Sequence, residues 1–395
     1  MNDFYRRYLD ADPHREGTNS LKWDARGRVF GRADVIPLWV ADMDFPTVPA
    51  VHEAIVERAK HPLYGYTIHG DDEKQAEIDW LARRFGVHVE PDWIFQSPGV
   101  VDSMIFVLRA LGEPGDRVII QPPVYGPFFE SVKKAGLTQR HNNLIETEDG
   151  WRMDYADMEK ALQEGARLML LCNPHNPIGR IWTQEELGRA FNLAAQYGCK
   201  VIVDEIHADF VLPGSKPSRS YALENTDHVI VLESATKSFN LAGLRNSSVV
   251  VKNAELREKI RNEFNLVDAS SPNLFGPLAQ KTAFENGDEW MDAVCEYIGE
   301  NRDFAERYFA EKIPEIKVHH LEGTYLMWLD CRSLGLEQEA LQKFFVEEAG
   351  VGLGSGTGFG EEAGRGFMRL NLATQRRNVE RGLESIRAAL DGRKR

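Results

Sequence analysis

Cysteine is scarce in this chain, with Cys172, Cys199, Cys295 and Cys331 its four examples among 395 residues. No two of them stand in a CxxC spacing, so neither a disulfide framework nor a thiolate metal site is expected; they read as buried thiols. Long apolar runs are also missing. Pieces such as Leu168–Cys172 and Val201–Val203 fall far short of the roughly 20 residues that cross a bilayer. The first twenty residues carry Asp3, Arg6, Arg7, Asp10, Asp12, Arg15 and Glu16, with no apolar region of the signal-peptide kind. A cytoplasmic protein with no membrane partner is therefore expected. Positive charge is in deficit: 47 Lys and Arg stand against 61 Asp and Glu, a net charge of −14. That balance argues against a nucleic-acid partner, because phosphate backbones call for concentrated Lys and Arg. It leaves room for a small anion in a local positive pocket.

What is present is an alternation. From about residue 90 to residue 250, Arg117–Gln121, Leu168–Cys172, Lys200–Asp204, His228–Glu233 and Ser247–Val251 read as strands. Several are apolar throughout, as strands buried on both faces are. Between them Val101–Leu111, Phe128–Ala135, Met153–Gln163 and Gln184–Tyr197 read as helices. The pattern predicts an α/β architecture with a mainly parallel sheet covered by helices. The last hundred residues differ. Helical Glu289–Phe309 leads to strand-like Ile316–His319 and Thr324–Asp330; a helix at Gln338–Ala349, Gly-rich Gly352–Gly360, strand-like Gly366–Asn371 and a helix at Arg377–Leu390 follow. We expect a large domain over residues 48–287, and a smaller α+β domain from residues 288–395 together with an N-terminal arm, residues 1–47, that has no sheet of its own.

Chemistry-bearing residues gather just past the apolar strands. Ser234-Ala-Thr-Lys237-Ser-Phe-Asn-Leu-Ala-Gly-Leu-Arg245 offers an amine, two hydroxyls and a fork-shaped donor suited to phosphate. A lysine there fits a solvated surface charge as well as a Schiff-base amine. Asp204 ends the strand in Val201-Ile-Val-Asp204-Glu-Ile-His207, where open α/β sheets place ligand contacts; capping the next helix is the other reading. His207 is compatible with a satisfied core histidine or with a ligand contact. Asn173-Pro-His-Asn176-Pro-Ile-Gly179 forms a turn that presents a side-chain amide. Ser97-Pro-Gly99-Val100-Val101 opens a helix whose free N–H groups suit an anion. Gln121-Pro-Pro-Val-Tyr125 holds a tyrosine on a rigid turn, as a ring-stacking group or as core.

In this order along the chain the segments resemble the pyridoxal-phosphate enzymes of the aspartate-aminotransferase fold, fold type I, from Leu38-Trp-Val-Ala-Asp-Met-Asp-Phe45 to Gly366-Phe-Met-Arg369-Leu-Asn371. Trp39–Phe45, Tyr64-Gly-Tyr-Thr67, Ser97–Val101, Asn173–Pro177, Asp204–His207 and Thr236–Asn240 resemble its MalY/PatB branch, the cystathionine β-lyases and cysteine-S-conjugate β-lyases. The resemblance implies that Lys237 carries pyridoxal 5′-phosphate covalently and that Asp204 pairs with the ring nitrogen. Tyr125 would stack on the ring, and Asn176 would bond its oxygen. Ser234, Arg245 and the amides of Val100 and Val101 would hold the phosphate, with His207 beside the ring. Arg369 would clamp the α-carboxylate of a small amino-acid substrate, with Asn176 and Tyr125 alongside. Tyr64 would reach the neighbouring subunit's phosphate, which implies a homodimer. No metal is implied.

Two positions depart from the wider pattern. His207 replaces the tyrosine that many aminotransferases carry three residues after the aspartate, as it does in the lyase branch. Arg245 matches a phosphate-binding arginine of general fold type I aminotransferases, where several lyase relatives differ. The implied activity is α,β-elimination of cystathionine or a related sulfur amino acid to a thiol, pyruvate and ammonia. Aminotransfer is the alternative enzyme activity, and a cofactor-binding regulatory protein without turnover is the alternative of another class.

Overall fold

The computed structural model describes residues 1–12, 14–267, 269 and 271–393. Its larger sheet has seven strands: β1 (Ile94–Ser97), β2 (Arg117–Ile120), β3 (Thr138–His141), β4 (Leu168–Cys172), β5 (Lys200–Asp204), β6 (Val229–Glu233) and β7 (Ser247–Val251). They lie side by side in the order β1-β7-β6-β5-β4-β2-β3. All neighbours are parallel except those of β7, which runs antiparallel to both β1 and β6.

The apolar runs explain the sheet's place. Successive side chains of a strand point to opposite faces, and here they enter two different cores. Met169, Leu171, Val201, Val203, Val229 and Val231 join one; Leu168, Leu170, Ile202, Ile230 and Leu232 join the other. Helices cover both faces, so β4, β6 and β7 are buried at every residue.

The second sheet contains β8 (Lys317–Val318), β9 (Leu326–Asp330), β10 (Gly354–Ser355) and β11 (Phe367–Asn371), all paired antiparallel in the order β8-β9-β11-β10. It packs with helices Asp288–Lys312 and Arg376–Arg393 around a third core, and Leu9, Leu38, Met43 and Phe45 of the N-terminal arm join it. The arm does contribute one piece of sheet: Ile36–Pro37 pairs in parallel with Val351–Gly352.

Element boundaries moved where local chemistry competed with the apolar pattern. The helix expected from Met153 starts at Tyr155, because the Asp154 carboxylate accepts from the Asp157 amide at 3.0 Å and caps it. The strand expected from Thr324 starts at Leu326, since Thr324 sits in the left-handed region with φ 63°.

Candidate active site

The strands place the site. β1, β2, β4, β5 and β6 share one direction, so their carboxyl ends lie along one rim of the sheet, where open α/β sheets bind ligands. From that rim come Ser97–Val101, Gln121–Tyr125, Asn173–Asn176, Asp204–His207 and Ser234–Lys237. A cavity of about 210 Å³ opens there, and Val100, Val101, Tyr125, Asn176, Asp204, His207, Lys237 and Arg245 all line it. Residues separated by more than a hundred positions in sequence thus meet in one space.

Lys237 and Asp204 are perturbed in complementary ways. Burial pulls the Lys237 ammonium down to about 8, with the Arg369 charge adding to the effect and Asp42 and Asp204 opposing it. Burial pushes the Asp204 carboxyl up to about 7, against the Ile206 amide that donates to it at 3.1 Å and the nearby Lys237 charge. The Lys237 Nζ donates to the backbone carbonyl of Ala41 at 2.5 Å. Tyr325 donates to the same oxygen at 3.0 Å. Burial holds His207 neutral, far below the usual imidazole range. Its Nδ1 has no hydrogen-bond partner among the described residues, and its ring meets Tyr325 edge-on at 5.4 Å.

Arg369 approaches from β11. Its Nη1 donates to Asn176 Oδ1 at 3.0 Å and its Nη2 to the Trp39 carbonyl at 3.1 Å, while Phe359 covers one face of the guanidinium at 4.7 Å. Among the described residues no carboxylate pairs with it, and its Nε is buried without a partner. Burial pulls its pKa down to about 10. A buried cation lacking an anion is costly unless a ligand supplies one.

A helix start also lines the cavity. Helix Val100–Leu111 begins directly after Gly99, so the amides of Val100 and Val101 have no partner within the helix. Gly99 is extended, and a Cβ there would come within 3.0 Å of Asp102 Oδ2. Arg245 is tied to this helix start by a 2.6 Å bond from Nη2 to Asp102.

Three expected residues are off the cavity wall: Arg369, which reaches it through Asn176, and Ser234 and Tyr64. Ser234 does not line the cavity: its hydroxyl donates to the Asn246 carbonyl at 2.6 Å and accepts from the Thr236 amide at 3.0 Å. Thr236, two residues on, is on the wall instead. Tyr64 is exposed on the segment after helix Pro49–Ala59, its hydroxyl donating to the Ala59 carbonyl at 3.1 Å. Ala41 and Tyr325 were missed in the sequence. Ala41 acts through its backbone, which no side-chain motif reports, and Tyr325 reads as an ordinary core tyrosine before β9.

The arrangement has counterparts. Residues 33–386 match the family described as aminotransferase class I and II. The chain is 37% identical to cystathionine beta-lyase PatB of Bacillus subtilis strain 168 over 97% of its length and 99% of that protein. It is 32% identical to protein MalY of Escherichia coli K12, over 94% and 96% of the two chains. The crystal structure of cystalysin from Treponema denticola, which contains a pyridoxal 5′-phosphate cofactor, superimposes with a TM-score of 0.93 at 30% identity, over 97% of this chain and 98% of that one.

Proposed function

The chain belongs to the aminotransferase class I and II family, and on that premise we propose that it is a pyridoxal-phosphate-dependent carbon–sulfur β-lyase acting on cystathionine or a related sulfur amino acid. One observation carries the reading. A lysine with a lowered pKa and a carboxyl with a raised one share a cavity, and a buried arginine with no carboxylate partner among the described residues stands beside it.

The residues present fit the cofactor. The helix start at Val100 and Val101, with Thr236 and Arg245 on the same wall, suits a phosphate. Tyr125 suits the face of an aromatic ring. Asp204, at the end of β5, suits a protonated ring nitrogen, because a cation there would offset the cost of ionising a buried carboxyl.

Arg369 binds and orients the substrate carboxylate, its fork held square by Asn176 and the Trp39 carbonyl. Pyridoxal phosphate, when bound, supplies an electron sink for the pair left at the substrate α-carbon. Lys237 Nζ takes the α-proton: with its pKa lowered to about 8, roughly a fifth of the amine is neutral at physiological pH and competent as a base, far more than for an ordinary lysine. Asp204 keeps a proton on the ring nitrogen, and His207, held neutral, adds no competing positive charge. The sulfur on the β-carbon leaves as thiol, and hydrolysis of the remainder gives pyruvate and ammonia.

The same proposal extends to assembly and organisation. The segment Leu63, Tyr64, Tyr66 and Ile68 is exposed on a single chain, which supports a homodimer in which Tyr64 completes the neighbouring site. The two sheets support a cofactor-holding body over residues 48–287 and a smaller body from residues 1–47 and 288–395. No helix among the described residues is long and apolar enough to cross a membrane, in keeping with a cytoplasmic location.

Incubation with L-cystathionine tests the activity. Stoichiometric pyruvate without a keto-acid acceptor is expected. Dependence on such an acceptor, with pyridoxamine phosphate accumulating, would make the protein an aminotransferase instead.

A further inference from the structure

Behind the cavity wall lies a second charged group of residues that the reaction does not use. Arg219 is 4% exposed and sits among three buried carboxylates. Its Nη1 meets Glu205 Oε2 at 3.3 Å and Glu233 Oε1 at 3.5 Å, and its Nη2 donates to Asp209 Oδ1 at 3.0 Å. The Phe85 ring covers the guanidinium at 4.0 Å. Arg219 is absent from the cavity wall.

The three carboxylates belong to the segments that carry the chemistry. Glu205 directly follows Asp204. Glu233 is the last residue of β6, four positions before Lys237. Asp209 accepts through Oδ2 from the hydroxyl of Ser238, the residue after Lys237, and through Oδ1 from Trp80 Nε1 at 3.0 Å. Glu205 is itself fixed by the Ser220 amide at 2.8 Å and the Ser220 hydroxyl at 2.5 Å. One planar fork therefore bridges the segment bearing Asp204 and both ends of the segment bearing Lys237.

Stability alone does not explain such a group. One guanidinium faces three buried carboxyl groups, of which burial pushes the pKa of Glu233 up to about 8, and apolar packing of similar volume is often at least as stable as a buried ion cluster. What a directional fork adds is fixed geometry, since its bonds lengthen or bend if either segment slides. Lys237 and Asp204 line one cavity and would both engage the same cofactor there, so their separation would have to be held closely for both to act together.

We propose that Arg219 is a positioning residue that sets Lys237 against Asp204 through Glu205, Glu233 and the Asp209–Ser238 link. The inference rests on the pyridoxal-phosphate reading of the cavity.

Wild type, Arg219→Lys and Ser238→Ala are compared after loading with pyridoxal phosphate. The bound fraction, the visible circular-dichroism band of the bound cofactor, and kcat and KM for L-cystathionine are measured for each. In Arg219→Lys, kcat per loaded site should fall by about 10- to 100-fold, with a weaker dichroic band and little change in KM, because Arg369 is untouched. Ser238→Ala should lose kcat and dichroism in the same direction by a smaller factor, since only one link is cut. A loaded Arg219→Lys protein with wild-type kcat and dichroism, altered only in melting temperature, would make the group purely structural and overturn the proposal. If that variant fails to fold, Ser238→Ala decides alone, and wild-type values there overturn it equally. Wild-type protein that takes up no pyridoxal phosphate would sink the reading of the cavity, and this inference with it.

Discussion

The Nζ of Lys237 rests on the carbonyl oxygen of Ala41, 2.5 Å away. That carbonyl is itself held in place. Asn371 Nδ2 donates to the Val40 and Asp42 carbonyls on either side, at 2.6 and 2.7 Å. Two residues on, Asp44 is paired at 2.7 Å with the fully buried Lys22. A rigid backbone acceptor therefore keeps the amine inside the cavity. Replacing Lys237 with Ala should abolish turnover of L-cystathionine and remove the visible band of the lysine-bound cofactor. Retained turnover at more than a trace would take the residue out of its role.

Covalent attachment of pyridoxal phosphate needs the neutral amine. Because burial lowers the Lys237 pKa from 10.5 to about 8, the neutral fraction grows as pH rises toward 8 and saturates above it. The rate at which cofactor-stripped protein regains its visible band should follow that curve. A rate still climbing steeply beyond pH 10 would show that the amine is not desolvated.

Arg369 is expected to trade stability for binding. Arg369→Lys keeps the positive charge and loses the fork that meets a carboxylate at two points, so kcat/KM should fall by the factor one charge-assisted hydrogen bond supplies, about 1.5–3 kcal/mol, chiefly through KM. Burial pulls the pKa of Arg369 down to about 10, and no carboxylate among the described residues offsets it. Arg369→Met should therefore raise the melting temperature of the ligand-free protein while abolishing productive binding. A fall in melting temperature with KM unchanged would assign Arg369 to the fold.

How far the sequence could be read follows from the same physics. β4, β5 and β7 are legible to the residue, because each contains an apolar run that ends at or just before a polar turn former, Asn173, Asp204 or Asn253. β3 (Thr138-Gln-Arg-His141) is an edge strand, partly exposed along its length, and carries no apolar signal. Lys237, Asp204, Asn176 and Tyr125 stand at or just past strand ends, so locating the strands located these four cavity-lining residues. Ser234 and Thr236 both offer hydroxyls two residues apart, and only the turn of helix Ala235–Ser238 decides which of them faces the cavity. Arg219 lies on a connecting segment with no motif around it, and its role depends on contacts that only the folded chain creates.

Glu77 gives a pH dependence that is separate from catalysis. Its Oε2 accepts from Ser248 at 2.5 Å, while its Oε1 is buried without a partner among the described residues, and burial pushes its pKa from 4.5 up to about 7. The folded state thus binds the proton more tightly than the unfolded chain. That contribution is complete below pH 4.5 and is lost as pH rises through about 7. Glu77→Gln removes the titration and keeps an amide oxygen as acceptor. Its melting temperature relative to wild type should therefore climb between these two values and stay flat above them. A difference that does not vary with pH would place the proton elsewhere in the buried group.

Tyr64 tests the dimer directly. If it completes the neighbouring site, one active site needs Lys237 from one chain and Tyr64 from the other. Lys237→Ala and Tyr64→Ala homodimers should each be weak or inactive. Mixing them under conditions that exchange subunits forms heterodimers in which one site carries both substitutions and the other carries neither. Activity should then rise above that of either parent. The exposed run of Leu63, Tyr64, Tyr66 and Ile68 predicts that this contact is partly apolar. It should therefore survive moderate salt, which screens charges and leaves apolar burial intact. A mixture no more active than the sum of its parts, although subunit exchange is demonstrated by mass-labelled chains, would place Tyr64 outside the shared site.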